Sequence, residues 1–454
     1  MTKEQTMATS ALKYTRSLIE SAVKKMDIGY DTDWFIEELQ GFDGRHGVDI
    51  SVKLKDRNNP EKRRPYSFGI VRIQHKKPDG NWIWAGGWRA HPQVGISVME
   101  NLAIEMSIKS WIMGLPYVGA KGGICIDPRE YTQEELQDIT DKVIEKLVEK
   151  DIIGPLKDRL APDVNTNAVM MQWMRDHYEY MMRIKGVTDM PIDGIATGKP
   201  EYAGGLSLRK PATGLGLHYA IKLFRKHLNI PATQTLSCAI NGFGNVGMHF
   251  GQYCDDFNIK VVAVGDWYGR VYKRDGLPMQ ELIRYVEQHP QKSVIGFENV
   301  CKGESIDRMN FFALPVDLQV PCAMEGDVSE KEAEVLQCKI IAEGANSPTV
   351  CEADEIIQAK KIVVIPDIYA NAGGVTVSYF EWAHNVGRTG KYPQAPVPRE
   401  RDEHSIRAGI VKYMNDNGRE LIATAKKYSV SYRLAGYILA LSRVYPSYRS
   451  KRRM

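Results

Sequence analysis

The sequence predicts an α/β protein of two domains, the second of which is built on a doubly wound parallel sheet. In that part, residues 236–241 and 260–265 read as short apolar strands on either side of a helix at 245–254. This β-α-β order favours parallel strands joined by helical crossovers. Further apolar strands recur later in the chain, at 318–321, 339–342 and 362–365. Their repetition indicates the doubly wound sheet.

The first half of the chain predicts a separate α/β domain. Apolar residues recur with helical spacing at 10–23, and the helical character continues at 34–39. Residues 48–54 alternate between apolar and polar types, as a half-buried strand does, and residues 66–74 read as its partner. A long apolar helix is predicted over 95–113. Helices and strands are therefore mixed in this N-terminal domain.

A change of composition separates the two halves. After Met190, glycine and proline become frequent up to Pro211, as is typical of a connecting region. We place the boundary there, with a first domain at 1–195 and a second at 196–424. After a proline-containing stretch at 392–398, helical periodicity resumes.

Composition and charge exclude several classes of protein. A chain of 454 residues has room for two or three domains, and 60 basic residues against 56 acidic ones leave a net charge of +4, too small to indicate nucleic acid binding. Seven cysteines without a Cys-x-x-Cys pair predict neither a disulfide framework nor a metal site. No signal-type segment or membrane-spanning run is evident. We expect a cytoplasmic protein without a membrane partner.

Lys121 is the first candidate for chemistry. It stands in Leu115-Pro-Tyr-Val-Gly-Ala-Lys-Gly-Gly123, a predicted loop of small residues that follows the long apolar helix. Small residues let a substrate approach the backbone, and a lysine desolvated there can lose its proton near neutral pH. The alternative for such a pattern is a surface lysine in a glycine turn.

The Lys121 segment is one of several motifs that together cover most of the chain. The others lie at 86–92, 104–110, 161–167, 197–200, 211–214, 241–247, 342–349 and 366–382. In order and spacing they resemble the family of glutamate dehydrogenase and its relatives that act on leucine, phenylalanine and valine. The resemblance implies an N-terminal substrate-binding and oligomerisation domain and a Rossmann-type dinucleotide-binding domain, with the last helices, about 425–454, packed back on the first. It also implies a homo-oligomer, commonly a hexamer, that uses NAD or NADP.

A glycine-rich segment is the predicted dinucleotide site. It lies between a predicted strand and a predicted helix, where its backbone can meet a pyrophosphate at the positively polarised helix end. Asp266 ends the next strand, where a carboxylate can accept hydrogen bonds from the adenosine ribose; alternatively it opens the turn at 266–269. Basic residues at 270, 273 and 274 leave both NAD and NADP open. The residues of the glycine-rich segment are Gly242, Phe243, Gly244, Asn245, Val246 and Gly247.

The resemblance supplies the other expected cofactor contacts. Asn346 and Asn371 match the residues that contact the nicotinamide ribose and carboxamide in the family, and Thr213 matches a further contact. Each asparagine has an alternative as a turn former beside glycine.

Oxidation of an amino acid needs a cation for the α-carboxylate, a base for water and a carboxyl group that carries the amine proton. By motif position, the resemblance gives these roles to Lys109, Lys121 and Asp163, respectively. The alternative for Asp163 is capping of a helix predicted at 168–175. The other residues expected around the substrate are Ala85, Gly87, Ala161, Val375 and Ser378.

Ala85 departs from the family pattern. Glutamate dehydrogenases carry a lysine immediately before the paired glycines, and it binds the side-chain carboxylate of the substrate. A buried carboxylate without its cation is disfavoured by about 3 to 5 kcal/mol, so the sequence predicts a preference for a neutral amino acid. Trp84 and Trp88 either line an apolar pocket or pack beneath the sheet. Ser378 matches a hydroxyl that contacts the glutamate side chain in the family, and it argues the other way.

Three hypotheses follow. The first is an NAD(P)-dependent L-amino-acid dehydrogenase with altered side-chain specificity, which releases a 2-oxo acid and ammonia. The second is an ordinary glutamate dehydrogenase in which another cation, such as Arg89 or one from a distant segment, replaces the missing lysine. The third is a catalytically silent homologue with a regulatory or structural role, against which the joint retention of Lys109, Lys121 and Asp163 speaks.

Overall fold

The computed structural model describes residues 3–56, 59–387 and 395–452, apart from the side chains of residues 3–9 and Pro60. Of the proline-containing stretch predicted at 392–398, residues 392–394 lie outside these ranges. No helix in the described ranges is both long and apolar enough to cross a membrane.

The chain forms two compact units. The first comprises residues 1–209, 376–406 and 440–454, and the second comprises residues 210–375 and 407–439. The division therefore differs from the domain limits expected at 195 and 424. Within the first unit, the Trp382 indole donates to the Pro155 carbonyl at 2.8 Å and the buried Lys199 ammonium pairs with Glu381 at 3.1 Å. These contacts join the segments around 199 and 382 to the N-terminal part of the chain.

The strands of the first unit are β1 (Phe42–Asp56), β2 (Asn59–His75), β3 (Ile83–Ala90), β4 (Tyr117–Ile124) and β5 (Asp158–Pro162). Among the described residues they form one five-stranded sheet in the order β1-β2-β4-β3-β5. Strands β1 and β2 pair with each other, as predicted, and they run antiparallel with Val48 opposite Ile70. Strands β4, β3 and β5 run parallel to one another. The predicted pairing of these two strands is confirmed, whereas β3, β4 and β5 were not predicted as strands.

Helices cover both faces of this sheet. The helices that precede β6 of the second unit are α1 (Lys3–Met26), α2 (Thr32–Gln40), α3 (Ile96–Ile112), α4 (Gln133–Glu149), α5 (Ala168–Ile184) and, at the start of the second unit, α6 (Ala212–His227). On one face, α4 and α5 bury an apolar core against Trp88 and Leu160. On the other face, α3 packs directly on β4 and buries Ile73, Met99 and Leu102. A capping box at Thr132 starts α4, because its hydroxyl and the Glu135 carboxylate satisfy each other's backbone N–H groups.

The second unit contains the predicted parallel sheet. Its strands are β6 (Leu236–Asn241), β7 (Ile259–Gly265), β8 (Arg270–Tyr272), β9 (Glu304–Ser305), β10 (Leu318–Pro321), β11 (Ile340–Ala342) and β12 (Val363–Ile365). In the described ranges their order is β12-β11-β10-β6-β7-β8-β9, parallel from β12 to β7 and antiparallel beyond. The strands predicted at 236–241 and 318–321 are confirmed residue for residue. The further helices are α7 (Asn245–Gln252), α8 (Met279–Gln288), α9 (Phe297–Cys301), α10 (Arg308–Phe312), α11 (Glu330–Val335), α12 (Cys351–Ala359), α13 (Asp367–Ala370), α14 (Gly373–Asn385), α15 (Glu403–Tyr428) and α16 (Tyr432–Arg452).

A buried ion pair holds the start of α16 to the rest of the second unit. Arg433 donates two parallel hydrogen bonds to Glu343, at 2.9 and 2.8 Å, and the Thr349 hydroxyl donates to the same carboxylate at 2.6 Å. Burial raises the pKa of the Glu343 carboxyl, against the lowering effect of Arg433. The pair therefore compensates a charge that water cannot reach.

Replacing Arg433 by methionine should leave this carboxylate buried without its cation and lower the free energy of unfolding by about 3 to 5 kcal/mol at pH 7. The loss should shrink as the pH falls toward about 5.5, because removing Arg433 takes away a contribution that lowers the pKa of Glu343. The variant carboxyl then binds a proton at higher pH than the parent's does and regains stability in doing so. Urea titrations at both pH values measure this, with Arg419→Met, whose side chain is 68% exposed, as the matched control. A loss equal for both variants would contradict the assignment.

Candidate functional site

The predicted substrate residues of the first unit lie on one face of three parallel strands. Ala85 in β3 stands between Gly119 of β4 and Arg159 of β5, each its register partner. Because side chains alternate along a strand, Gly87 and Ala161 lie on the same face one pleat further on. Ala85, Gly87 and Ala161 thus form a floor of small residues.

Lys121 lies in strand β4 and not in a loop, so the sequence-based prediction is wrong on this point. None of the glycines around it has a positive φ. They are needed because a Cβ at Gly119 would overlap the Ala103 carbonyl of α3, and a Cβ at Gly122 or Gly123 would overlap the backbone of a neighbouring strand. The glycines therefore serve close packing, and Lys121 is carried on a fixed strand.

Lys121, Asp163 and Arg89 form a compact charged group. The Lys121 ammonium donates to Oδ2 of Asp163 at 2.9 Å, and Arg89 Nε donates to the same oxygen at 2.8 Å. The other carboxylate oxygen, Oδ1, accepts from no protein group in the described ranges. Gly87 makes room for the pair, since a Cβ there would lie 2.7 Å from the Asp163 Cβ and 3.1 Å from Lys121 Nζ. Residues from two strands, β3 and β4, thus converge on one carboxylate that directly follows β5.

Burial and charge set the protonation of this group. Burial lowers the pKa of the Lys121 ammonium below its ordinary value, the Asp163 carboxylate raises it in part, and Arg89 lowers it. Burial alone would raise the pKa of the Asp163 carboxyl, but Lys121 and Arg89 hold it well below its usual range. The site therefore combines an ionised carboxylate with an amine that loses its proton more readily than a surface lysine does.

Asp163 does not cap the following helix. The side chain that accepts from the first turn of α5 belongs to Asn167, which bonds the Met170 N–H at 3.1 Å. The Asp163 backbone N–H donates to the Thr166 hydroxyl at 2.8 Å, in a turn that leads from β5 to α5. The structure therefore excludes the capping alternative and leaves the carboxylate to Lys121 and Arg89.

Lys109 lies in the last turn of α3, the helix that packs on β4, and it is buried. Two charged side chains of the α3–β4 segment, Lys109 and Lys121, are thus both withdrawn from solvent. Val375 is buried in α14 but belongs to the second unit, so it is not part of the face described here.

Trp84 and Trp88 point away from this face. Both alternate with Ala85 and Gly87 along β3, so their side chains lie on the opposite side of the sheet. Trp88 belongs to the apolar core under α4 and α5, and Trp84 donates to the His75 carbonyl at 2.8 Å. The hypothesis that these tryptophans line a substrate pocket is therefore wrong, and the packing alternative holds.

Arg159 belongs to this face but was not among the residues predicted from the sequence. Its guanidinium donates through Nη1 to the hydroxyls of Thr197, at 2.8 Å, and Ser378, at 3.0 Å. The Tyr117 ring lies 4.3 Å from its guanidinium carbon. Arg159 could have been found as the basic residue that pairs with Ala85 across β3 and β5. That pairing can be recognised only once β5 is known to be a strand.

The glycine-rich segment of the second unit joins β6 to α7. Gly242 has a φ of 99° and lies so close to Ala323 that a Cβ would overlap its backbone. A Cβ at Gly247 would overlap the Gly242 carbonyl, whereas no protein atom lies within 4 Å of the place where a Cβ of Gly244 would stand. The segment therefore has an open side at the start of α7, as backbone contact with a pyrophosphate requires.

Asp266 forms the turn that was the alternative to its ribose role. Its Oδ1 accepts from the backbone of Tyr268 and Gly269 at 2.8 and 3.0 Å, and its Oδ2 accepts from the Val294 N–H at 2.8 Å. A contact between Asp266 and the ribose stays a prediction. The ribose hydroxyls would donate to lone pairs of the Asp266 carboxylate that the backbone N–H groups do not already use.

Asn371 and Asn346 lie together. The Asn371 amide donates to Asn346 Oδ1 at 3.2 Å and to the carbonyls of Gly344 and Ala345 at 3.2 and 3.1 Å. Its own Oδ1 is buried and accepts from no group in the described part of the chain. A carboxamide or a ribose hydroxyl could donate to this oxygen, so the residues fit a nicotinamide dinucleotide. Thr213 lies in the first turn of α6.

Both halves of the chain match the same family of known proteins. Residues 204–452 match the family model "Glutamate/Leucine/Phenylalanine/Valine dehydrogenase", and residues 52–180 match its dimerisation domain. Glutamate dehydrogenase of Thermotoga maritima is 38% identical over 85% of this chain and 86% of its own length. The NADP-specific enzyme of Synechocystis is 35% identical over 87% and 88%, and NAD-specific glutamate dehydrogenase A of Halobacterium salinarum is 31% identical over 97% and 93%.

A solved structure shares the fold. Hetero-hexameric glutamate dehydrogenase of Thermus thermophilus, in its leucine-bound form, superimposes with a TM-score of 0.83 over 97% of each chain, at 24% identity.

The glycine-rich segment gives a matched pair of variants. Gly247→Ala should lower the free energy of unfolding by about 2 kcal/mol or more through overlap with the Gly242 carbonyl. Gly244→Ala should change it by less than about 0.5 kcal/mol, because the site is open, and should weaken dinucleotide binding measured by nicotinamide fluorescence. Equal stability of the two variants, or unchanged binding by Gly244→Ala, would contradict this reading of the segment.

Proposed function

Because the chain belongs to the Glu/Leu/Phe/Val dehydrogenase family and is an NAD(P)-dependent amino-acid dehydrogenase, we propose that Lys121 and Asp163 carry its oxidative deamination of an L-amino acid. The reaction converts the amino acid, water and NAD(P)⁺ into a 2-oxo acid, ammonium, NAD(P)H and a proton. The observation that carries the proposal is the buried Lys121–Asp163 contact of 2.9 Å on a floor of small residues.

The two side chains divide the proton transfers. When bound, the oxidised nicotinamide takes up the hydride that the substrate α-carbon loses. Lys121, with its pKa lowered by burial, accepts a proton from the water that adds to the resulting imine. Asp163 is ionised when the substrate binds, and its oxygen Oδ1 then receives the proton of the substrate nitrogen and later returns it. Release of ammonia then leaves the 2-oxo acid.

Other residues bind and position the substrate in this proposal. Lys109, a buried cation on α3, binds the α-carboxylate. Gly87 and Ala161 leave space for the substrate over the sheet. Arg89 fixes Asp163 and adds positive charge beside Lys121. The retention of all these groups in one arrangement supports an active enzyme over a silent homologue.

The proposal also covers assembly and cofactor binding. We infer a homo-oligomer, of which a hexamer is the form suggested by the family, in the cytoplasm and without a nucleic acid or membrane partner. The Gly242–Gly247 segment, Asn346, Asn371 and Thr213 bind NAD or NADP. The absence of a lysine at Ala85 favours a neutral amino acid as substrate. Arg159 beside Ser378 instead supports a substrate with a side-chain carboxylate, as in the glutamate dehydrogenases that this chain resembles.

Replacing Lys121 by methionine should abolish turnover, because the base is lost, while NAD(P) affinity is largely kept. Steady-state assays across the amino acids with both cofactors, combined with dinucleotide titration, measure the two effects separately. Turnover within a few-fold of the parent would refute the assignment of Lys121. Arg183→Met, an exposed substitution on α5, serves as the control.

Replacing Asp163 by asparagine should lower kcat by about 100-fold or more, because an amide cannot carry a proton. The acidic limb of the residual pH profile should move to lower pH, since loss of the carboxylate removes a contribution that raises the pKa of Lys121. A melting curve by circular dichroism checks that the variant is folded. A limb that moves to higher pH would show that Lys121 is not the titrating base.

A further inference from the structure

We propose that Arg159 is a specificity-determining residue of this enzyme and that it binds a carboxylate at the end of the substrate side chain. The proposal rests on the proposed function and names the part of the site that selects the substrate. Ser378 and Thr197 complete the carboxylate site, and Ala85 leaves the space in which that carboxylate lies.

Position on the sheet is the first argument. Arg159 and Ala85 are register partners, so both lie on the face that carries Gly87, Ala161 and the Lys121–Asp163 pair. The Ala85–Arg159 row is one pleat, about 6.6 Å, from the Gly87–Ala161 row. A substrate with its α-carbon over the second row could reach the first through two methylenes and a carboxyl group, with carbon–carbon bonds of about 1.5 Å and a final hydrogen bond of about 2.9 Å. The row spacing therefore lets a side-chain carboxylate of this length lie over the row from which the Arg159 side chain rises.

Charge is the second argument. Arg159 is only 1% exposed, and among the described residues no carboxylate forms an ion pair with it. The nearby Glu381 is already paired with the buried Lys199, and it also acts on the partly buried Arg209. The first unit thus holds more buried positive than negative charge at this place. A buried charge without a partner is unfavourable, and a ligand carboxylate would balance it.

Hydrogen bonding is the third argument. Arg159 Nε is buried and donates to no group in the described ranges. The hydroxyls of Thr197 and Ser378 both accept from Arg159 Nη1 and lie 2.7 Å from each other. The Thr197 hydroxyl also lies 3.4 Å from the Leu160 carbonyl, a longer contact than the 2.7 Å to Ser378. When Thr197 donates to Ser378, the Ser378 hydrogen stays able to donate to a ligand. A guanidinium nitrogen and a hydroxyl are the donors that a carboxylate requires.

The competing role for Arg159 is structural. Through Ser378 it links β5 to α14, and its cation stacks on the Tyr117 ring. A purely structural residue would affect all substrates alike. A carboxylate-binding residue would affect only substrates that carry the carboxylate, so the two roles separate in a comparison of L-glutamate with L-norvaline, whose side chain has the same methylenes without the carboxyl group.

The parent enzyme should prefer L-glutamate to L-norvaline in kcat/KM by about 100-fold or more, as expected for a desolvated charge pair. Arg159→Met should remove that preference, mainly through KM, while activity on L-norvaline is kept or rises. Arg159→Lys should retain part of it. Calorimetric binding of 2-oxoglutarate and 2-oxopentanoate to the enzyme loaded with reduced dinucleotide should show the same selectivity without turnover. Arg183→Met is again the control.

A relocated cation gives the sharpest test. Ala85→Lys in the Arg159→Met background places an ammonium in the neighbouring strand at the same row, and it should restore selectivity for L-glutamate. In the parent background the same lysine would face Arg159 and should not raise selectivity, because like charges repel.

Each result decides between the alternatives. Equal losses on both substrates in Arg159→Met, or a parent that prefers L-norvaline, would overturn the proposal while leaving the dehydrogenase function intact. If Arg159→Met fails to fold, the parent's preference and the Arg159→Lys variant still decide. A parent that oxidises none of the amino acids with either cofactor would instead refute the proposed function.

Discussion

Close backbone approach at β3 and β4 is the constraint on which the first unit depends. A Cβ at Gly86 would overlap the Ala120 carbonyl, and one at Gly119 would overlap the Ala103 carbonyl of α3. Only glycine lets the two strands and the helix come this near. This packing fixes the register of β4, β3 and β5, and the register in turn decides that Lys121 and Asp163 meet. The geometry of the charged group is therefore set by residues that have no side chains.

The sequence predicted the second unit better than the first, for a physical reason. Strands such as β6 and β10 are short apolar runs, and both were located residue for residue. Strands β3 and β4 are buried on both faces and rich in glycine, which is uncommon in strands, so neither alternation nor propensity marks them. Lys121 was consequently assigned to a loop. The sequence also could not decide on which face of the sheet the side chains of Trp84 and Trp88 lie.

The site residues that belong to a sequence motif were predicted. The residue that reaches the site only because its strand pairs with β3 was missed. Lys121, Asp163 and Gly87 were named from their motifs, and the structure brings them together. Arg159 lies outside those motifs and gains its meaning from its partner across the strand. Its neighbour Asp158 shows the contrast, because Arg72 and Gln74 satisfy that carboxylate on the opposite face of the sheet. Adjacent residues of β5 thus carry one fully compensated charge and one that lacks a carboxylate.

The placement of α16 bears on how the chain folds during synthesis. Arg433 compensates Glu343, made 90 residues earlier, and Tyr448 donates at 2.6 Å to the carbonyl of Lys76, made 372 residues earlier. Helix α16 contributes to both compact units, so neither can be completed while this helix is still inside the ribosome. At about 5 to 20 residues per second, segments made early would wait for many seconds with apolar surface uncovered. We therefore expect the nascent chain to need protection by chaperones, and a chain interrupted before α16 to be lost to aggregation or proteolysis.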